Sequence, residues 1–457
     1  MENFIKQHLV WLGLMSIFSS CNFSSLTTTS GSLPIAISPD NTTVPASETP
    51  PLPQTSNLPL LAAANADSIA DAVGVDTHFN YIDTPYATVP AVKANLINSG
   101  IRHIRDAAPL QSSAYGALMS DLYLNHGIDQ IGGIDPATSD ADVIAWIQQN
   151  PGVKAFEVCN ECDSRSGDWV TLLKTTQLRI FNLIKAHPSV FSGVKLLSPS
   201  LISGTDAPSL GDQSAYLDAA SLHESVCGAN PGDLIGTGAI GFGGFPYATM
   251  DFSLAWQSLI SGTKPVWITE WGYNDSPPPG DCAIPDNYIA AYEPRSVLEW
   301  ALRGVPRMYV YQFADQPNDP MFGAEGLVRA DGSPKPQYWA LKNLIATFSD
   351  PGPAFSAAPV PMTITRSASN VHHQVSRKHD GTVLLAIWRE AQDYIYRQYT
   401  PANLPTTAAT VKIDGAFSRG ILHVFNMDGS VTNTAITPGV EVSLSLGATI
   451  QVVEFNP

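Results

Sequence analysis

Short apolar segments alternate with longer amphipathic segments from about residue 72 to residue 350, and this alternation constrains the fold more than any other feature. Short bounded apolar runs are typical of buried strands, and the stretches between them have helical periodicity. Eight strands are predicted, at Val73–His78, Ile101–Arg105, Ile128–Ile131, Ala155–Asn160, Val194–Ser198, Ala219–His223, Val266–Glu270 and Arg307–Phe313. Five helices are predicted between them, at Val89–Ser99, Asp140–Gln149, Trp169–Ala186, Thr249–Ser261 and Pro294–Arg303. A strand followed by a helix, repeated eight times, predicts a TIM (β/α)8 barrel over residues 65–350.

Local signals support this interpretation of the alternation. Ser139 and Asp140 suit the start of a helix, and Gly100 suits the end of one. A doubly wound open sheet is the alternative. It usually has fewer strand–helix units, and it often carries a glycine-rich phosphate-binding turn after its first strand, which this sequence lacks.

The pattern changes after about Asp350, where segments become short, β-branched and separated by turns. Six strands are predicted, at Val371–Val375, Thr382–Trp388, Ala409–Ile413, Ile421–Phe425, Val440–Leu446 and Ala448–Phe455. Asp380-Gly381 and Asp428-Gly429 are typical hairpin turns. Residues 351–457 are therefore predicted to form a small all-β sandwich. No long linker precedes it, so we expect it to pack against the barrel.

The first 21 residues resemble an export signal. Lys6 is followed by an apolar run over 9–18 that is too short to span a membrane. Phe18-Ser19-Ser20-Cys21 resembles a bacterial lipoprotein box, in which the cysteine is lipidated, although Leu is usual where Phe18 stands. Ordinary signal cleavage is the alternative, and a buried N-terminal helix is disfavoured. We expect a secreted or cell-surface protein that touches the membrane only through a lipid on Cys21.

Residues 22–64 are rich in Ser, Thr and Pro and have little hydrophobic periodicity. Such a composition is typical of a flexible tether, and we expect no ordered structure in it.

The composition excludes one class of partner and supports a folded body. Hydrophobic residues make up 44% of the chain and charged residues 14%, which is enough to build a sizeable core. The formal net charge of -17 would repel a polyanion, so nucleic-acid binding is not expected. Nothing in the sequence requires a metal or an organic cofactor, and a monomer is expected.

The chain has five cysteines, and four remain if Cys21 is lipidated or removed. Export permits disulfides, and four cysteines allow three pairings. Cys227 with Cys282 is the preferred pair, because both are expected in loops on the same face of the barrel. Cys159-x-x-Cys162 also suggests a metal or redox site, but no second closely spaced cysteine pair and no thioredoxin-like unit accompanies it. Cys162 could pair with another loop cysteine, or Cys159 could pack as a small apolar side chain.

Two glutamates end predicted strands of the barrel. Glu161 lies in Phe156-Glu157-Val158-Cys159-Asn160-Glu161, after the fourth strand, and Glu270 lies in Val266-Trp267-Ile268-Thr269-Glu270-Trp271-Gly272, at the end of the seventh. Side chains at these positions face the catalytic end of a (β/α)8 barrel. Glycoside hydrolysis uses two carboxyl groups, one protonated to assist the leaving group and one ionised.

An Asn-Glu pair after the fourth strand and Thr-Glu-Trp-Gly at the seventh resemble the clan A glycoside hydrolases, a large group of retaining (β/α)8 enzymes. The resemblance covers residues 72–349, and it extends to poorly characterised secreted bacterial members that carry a C-terminal β-sandwich. It implies that Glu161 is the acid/base and Glu270 the nucleophile. It also implies that Asn160 contacts the sugar 2-hydroxyl and that Arg105, ending the second strand, lies beside the nucleophile and favours its ionised form. Cysteine stands at positions 159 and 162, where clan members often have a bulky residue and proline.

The resemblance implies further substrate contacts at His78 and His223, which end the first and sixth strands. Tyr311, on the eighth strand, is also predicted to bind substrate. Trp271 is predicted to line the cleft and stack on a sugar ring, with packing between helices as the alternative. Arg105 could instead be a structural ion-pair partner, and the two histidines could be satisfied within the barrel mouth. Other glutamates are given no catalytic role: Glu157 is expected on another face of its strand, and Glu325 in a loop.

The predicted function is a retaining glycoside hydrolase acting on an extracellular polysaccharide or oligosaccharide. Two alternatives remain open: a catalytically inactive surface carbohydrate-binding protein, and a transglycosylase that uses the same residues. The sequence does not identify the sugar, the linkage, or endo versus exo action.

Overall fold

A computed structural model describes residues 58–107, 113–165, 167–202, 204–232, 250–276, 282–319 and 323–457. The predicted export signal and the predicted tether up to residue 57 lie outside these residues. Among the described helices, none combines the length and the apolar character needed to cross a membrane.

Two short strands, β1 (Leu60–Leu61) and β2 (Ala64–Asn65), precede the barrel. β1 pairs with residues 360–361 and β2 with residues 376–377, so both belong to sheets of the C-terminal domain. The prediction of an unstructured tether through residue 64 was therefore wrong for these residues. Their order comes from hydrogen bonds to strands far along the chain, which local composition does not reveal.

Eight parallel strands form the barrel: β3 (Val73–Asp76), β4 (His103–Ala107), β5 (Asp129–Ile134), β6 (Val153–Val158), β7 (Lys195–Leu196), β8 (Ala220–Glu224), β9 (Val266–Trp271) and β10 (Met308–Val310). Their order in the sheet is β7-β6-β5-β4-β3-β10-β9-β8. A parallel bridge between Leu197 and Ala219 joins β7 to β8 and closes the sheet. All eight predicted strands and the (β/α)8 barrel are confirmed.

Within the described part of the chain, ten helices accompany the strands: α1 (Asp67–Asp71), α2 (Pro85–Thr88), α3 (Pro90–Ser99), α4 (Ser113–His126), α5 (Asp140–Gln149), α6 (Trp169–Ala186), α7 (Ala207–Leu210), α8 (Met250–Ser261), α9 (Asp286–Leu302) and α10 (Pro336–Phe348). Ser139 accepts a hydrogen bond from the Asp142 amide and caps α5, as predicted, and left-handed Gly100 ends α3. α9 begins at Asp286 and not at Pro294 as predicted, so Pro294 lies inside the helix.

Side chains pointing into the barrel form layers. Ile131, Ala155, Leu197, Ala219, Trp267 and Tyr309 make a compact central layer. Gly74 belongs to the same level, where a Cβ atom would lie 2.5 Å from the Tyr309 ring. The polar residues of the candidate site lie directly above this apolar layer, toward the carboxyl ends of the strands.

The C-terminal domain contains β11 (Val360–Arg366), β12 (Val371–Arg377), β13 (Val383–Arg389), β14 (Tyr394–Ile395), β15 (Thr400–Pro401), β16 (Thr407–Ile413), β17 (Arg419–Phe425), β18 (Val431–Ile436), β19 (Val442–Leu446) and β20 (Gln451–Asn456). One sheet has the order β1-β11-β16-β19 and the other β18-β17-β20-β13-β12-β2. Their facing side chains share one apolar core, so the predicted β-sandwich is confirmed.

Buried ion pairs join the sandwich to the barrel helix α9. Arg295 is fully buried, and its guanidinium donates to Glu390 and Asp393. Trp388 Nε1 donates to Glu299 Oε1 at 2.8 Å. The two domains therefore pack directly against each other, as expected from the absence of a linker.

Candidate active site

Arg105 lies at the centre of the polar layer, at the end of the barrel where the strands have their carboxyl ends, here called the mouth. Its Nε and Nη2 donate to the two oxygens of Glu157 at 3.2 and 2.7 Å. Its Nη1 donates to Asp76 Oδ1 and to Glu270 Oε1, both at 2.8 Å, and Nη2 also donates to Asn160 Oδ1 at 2.6 Å. A guanidinium has five N–H groups, so every donor of Arg105 is in use.

Glu157 points into the barrel and is fully buried, so the expectation that it lies on another face was wrong. Ser200 and Ser221 hydroxyls donate to its two oxygens at 2.9 and 2.8 Å. Burial raises the pKa of Glu157, but the charges of Arg105 and His223 and the hydrogen bonds from Arg105 and Ser221 outweigh it and lower the pKa to about 2. Glu157 is thus an ionised anchor that fixes Arg105.

A β-bulge in β9 sets the direction of Glu270. Leu222 of β8 pairs with Ile268, but the next residue of β8, His223, pairs with Glu270, so Thr269 is an extra residue. A regular strand would place every second residue inside, but the bulge turns Glu270 inward after Thr269.

Trp271 consequently points outward, and the prediction that it lines the cleft was wrong. Its side chain is 1% exposed and packs edge-to-face against Trp300 of α9 at 5.6 Å and Tyr273 at 6.0 Å. Its ring presents no face on which a sugar could stack.

His223 connects the two candidate catalytic carboxyls. Its Nδ1 lies 2.9 Å from Glu161 Oε1 and 3.4 Å from Glu270 Oε2, and its Nε2 lies 3.2 Å from Arg105 Nη2. Burial lowers the pKa of His223, but Glu270 and Glu161 outweigh it and raise the pKa to about 9. An imidazolium at neutral pH therefore lies between the two carboxyls.

Burial also raises the pKa of Glu270, together with the charges of Glu161 and Glu157, while His223 and Arg105 act in the opposite direction. Glu270 is 20% exposed and Glu161 is 27% exposed, so both carboxyls reach the solvent of the mouth. One oxygen of each and a His223 nitrogen lie within 4.8 Å of one another.

This spacing could also accommodate a metal ion among the described residues. The same atoms already contact one another or Arg105, because Arg105 Nη1 lies 2.8 Å from Glu270 Oε1 and His223 Nδ1 lies 2.9 Å from Glu161 Oε1. We therefore treat the three residues as a hydrogen-bonded cluster.

The backbone around Glu161 has an unusual conformation. Cys159 and Glu161 have φ angles of +60° and +47°, in the left-handed region that non-glycine residues rarely adopt. A disulfide between Cys159 and Cys162, with a Cα–Cα distance of 5.9 Å, brackets this turn. The Glu161 amide donates to Ser200 Oγ at 3.4 Å. This pairing was not predicted, whereas the preferred pair, Cys227–Cys282, is confirmed with a Cα–Cα distance of 4.6 Å.

The loop after β3 forms an aromatic wall of the mouth. The His78 ring stacks parallel on Tyr81, with centroids 5.1 Å apart, and meets Tyr311 edge-on at 5.7 Å. Burial and the charge of Arg105 lower the pKa of His78 to about 3, so this histidine is neutral. Tyr81 is 37% exposed. Burial is the main cause that raises the pKa of Tyr81, and the charge of Glu270 adds to the rise.

Three buried polar atoms in this region have no hydrogen-bond partner among the described residues: Asp76 Oδ2, His78 Nε2 and Asn80 Oδ1. Buried polar atoms are normally satisfied, so these three mark a part of the mouth where the described residues leave hydrogen-bonding capacity unused.

The structure brings together seven of the eight predicted site residues: His78, Arg105, Asn160, Glu161, His223, Glu270 and Tyr311. Trp271 is the exception. Sequence reasoning missed Asp76, Glu157 and Tyr81. Two-residue alternation along β3 and β6 was a usable signal for Asp76 and Glu157, because it predicts that both side chains point into the barrel, as that of Arg105 does.

Comparison with known proteins supports the fold. No family model and no curated protein matches the sequence. Among solved structures, a family 39 glycoside hydrolase from Bacteroides cellulosilyticus WH2 matches with a TM-score of 0.58 and 17% identity, over 85% of this chain and 82% of that one. A glucosidase from Croceicoccus marinus matches with a TM-score of 0.59 and 12% identity, over 88% of this chain and 100% of that one. A family 30 endoxylanase from Clostridium papyrosolvens C71 has a TM-score of 0.52 and 12% identity, over 88% and 99%. The fold that the clan A resemblance implied is thus confirmed.

Proposed function

We propose that this protein is a retaining glycoside hydrolase with Glu161 as acid/base and Glu270 as nucleophile. One observation carries the proposal: carboxyl oxygens of the two residues lie within 4.8 Å at the mouth of a (β/α)8 barrel, on either side of His223 Nδ1. Retaining enzymes hold their two carboxyls about 5–5.5 Å apart, and inverting enzymes about 6.5–9.5 Å apart to admit a water molecule.

The contacts of the two glutamates support the division of roles. Arg105 donates to Glu270 at 2.8 Å from a buried position, which favours the carboxylate that a nucleophile requires. Glu161 is more exposed and follows a strand end in a tight turn, where it can reach the oxygen of a leaving group.

The reaction has two steps. Glu270 attacks the anomeric carbon as the protonated Glu161 gives its proton to the departing glycosidic oxygen, and a glycosyl ester forms on Glu270. Glu161, now ionised, then removes a proton from water, which attacks the anomeric carbon and releases Glu270. The imidazolium of His223 lies between the two carboxyls throughout and stabilises whichever one is ionised.

Substrate contacts follow from the same geometry. Asn160 accepts a hydrogen bond from Arg105 through Oδ1, so its Nδ2 can donate to a sugar hydroxyl. His78, Tyr311 and Tyr81 form the wall against which a sugar ring would lie. We further propose an extracellular polysaccharide or oligosaccharide as substrate and a secreted or lipid-anchored monomer as the working form.

A panel of polysaccharides and aryl glycosides, with product stereochemistry followed by proton NMR, tests the proposal. The expected first product has the anomeric configuration of the substrate. Glu270→Ala should lose hydrolysis by a factor of at least about 1,000 while sugar binding persists. Glu161→Ala should lose least on substrates with a good leaving group and should be rescued by azide, which replaces the water that Glu161 activates. Glu441→Gln, an exposed glutamate of the sandwich, is the matched control.

Inverted products would contradict the two-step mechanism. Binding without turnover in the unaltered protein would favour the inactive carbohydrate-binding protein, and products longer than the substrate would identify a transglycosylase.

A further inference from the structure

The eight loops that follow the barrel strands are strongly acidic. Their described residues lie within 77–84, 135–139, 159–168, 197–206, 225–232, 272–276, 282–285 and 311–335, and include eleven aspartates and glutamates but three basic residues, Arg165, Arg329 and Lys335. This excess of eight negative charges is nearly half of the net charge of -17 of the chain. A large share of the net negative charge therefore lies on the face that a substrate must approach.

Each of the three basic side chains is already paired. Lys335 is 1% exposed and contacts Asp275 and Asp315 at 2.8 and 2.7 Å. Arg165, beside the turn of Glu161, contacts Asp135 at 2.9 Å. Arg329, the third basic residue, forms an ion pair with Asp286 at 2.9 Å.

Deeper in the mouth, the cationic groups are also committed. All five N–H donors of Arg105 are used by Asp76, Glu157, Glu270 and Asn160. His223 directs Nδ1 at the two catalytic carboxyls, and its Nε2 lies against Arg105. Within the described residues of these loops and of the polar layer, a carboxylate or sulfate on a bound sugar would find no lysine or arginine without an acidic partner. The sequence of the remaining loop segments adds no lysine or arginine.

Helix N-termini at this end of the barrel carry partial positive charge that could attract an anion. Two of them are already matched by acidic side chains. Asp168 caps α6 by accepting from the Thr171 amide at 3.0 Å, and Asp140 and Asp142 lie in the first turn of α5.

We infer that the site takes glycans whose sugars carry no carboxylate or sulfate group, and that amino-bearing sugars are accepted alongside neutral ones. The inference rests on the proposed function and narrows its substrate class. An anionic sugar would bring an unpaired charge into a partly desolvated site of the same sign, and a cationic sugar would be attracted by it.

Matched 4-nitrophenyl glycosides test the inference: glucoside, glucuronide and glucosaminide, and the corresponding galacto series, in both anomeric forms. We expect kcat/KM for the neutral member to exceed that of the uronide at least tenfold at low ionic strength. The difference should shrink at 1 M salt, where the Debye length falls to about 3 Å. In parallel, the Glu270→Ala variant is applied to a glycan array carrying neutral, amino, uronate and sulfated glycans, where binding to neutral or amino glycans is expected.

A substitution that releases one cation provides a sharper test. Asp135→Asn leaves Arg165 without its partner at the rim, and uronide turnover relative to glucoside should rise about twofold at low salt, as expected for one charge at about 10 Å in water. Asp67→Asn is the matched control, because it removes the closest acidic partner of Arg102 just before β4, at the opposite end of the barrel, and should leave the ratio unchanged.

The inference is overturned if a uronide is cleaved as fast as its neutral counterpart, or if the array shows uronate or sulfated glycans as the strongest ligands. Absence of turnover on every glycoside would instead remove the proposed function, and the array would still decide the charge preference.

Discussion

Replacement of Glu157 by glutamine tests whether the buried Glu157–Arg105 pair holds the site together. Glu157 is fully buried, and its pKa of about 2 lies below its ordinary value of 4.5. That difference corresponds to about 3 kcal/mol of folding free energy at neutral pH. Removing one partner of a buried ion pair typically costs about 3–5 kcal/mol, so two independent arguments agree on the size of the effect.

The pH dependence distinguishes an ion pair from a packing effect. Because the folded pKa of Glu157 lies below the unfolded value, its contribution is present above pH 4.5 and is lost as the pH falls through about 2. The difference in unfolding free energy between the two proteins should therefore be about 3 kcal/mol at pH 7 and about half of that near pH 3. Urea unfolding followed by tryptophan fluorescence at both pH values measures it, with Glu441→Gln as the exposed control.

A loss below about 1 kcal/mol at pH 7 would refute this reasoning, since it would rank Glu157 with surface ion pairs. A loss that stays constant down to pH 3 would refute it as well, because glutamine would then act through packing and not through the missing charge. Activity of Glu157→Gln should also fall, since Arg105 loses the partner that accepts two of its five donors.

Three further predictions concern the mouth. His223→Gln should lower kcat/KM about 10–100-fold and remove any decline of activity that sets in near pH 9, because the imidazolium is present below its pKa of about 9 and is lost above it. A pH–rate profile of both proteins measures this effect. An unchanged decline at alkaline pH in the variant would contradict the prediction. Tyr81→Ala should raise KM about 3–10-fold with little change in kcat, whereas Ile82→Ala, at an 82% exposed neighbour, should leave KM unaltered in the same steady-state assay. The double variant with serine at Cys159 and Cys162 should lose at least about tenfold in kcat, because the left-handed turn relaxes without its crosslink; retention of full kcat would show that the turn is held by other contacts.

The architecture could be predicted from the sequence alone, because the fold follows from a periodic signal repeated many times. Each strand of the barrel is a short apolar run whose backbone must be buried on both sides, and eight such runs leave few alternatives to a closed barrel. The positions of Glu161 and Glu270 after the fourth strand and at the end of the seventh predicted that both lie at the mouth, since the carboxyl ends of parallel strands meet at one end. The pairing of Cys227 with Cys282 followed from the same argument.

Only the tertiary structure decided which way individual side chains point. The bulge at Thr269 depends on how β9 pairs with both neighbours, and it directs Glu270 inward and Trp271 outward. The role of Glu157 could not be predicted locally either, because it depends on Arg105, which lies 52 positions earlier in the chain. Strands β1 and β2 took their order from sheets that form near the other end of the chain. Periodicity is a local property and specifies the elements, whereas register, bulges and ion pairs are set by contacts between elements, and these arise only when the barrel closes.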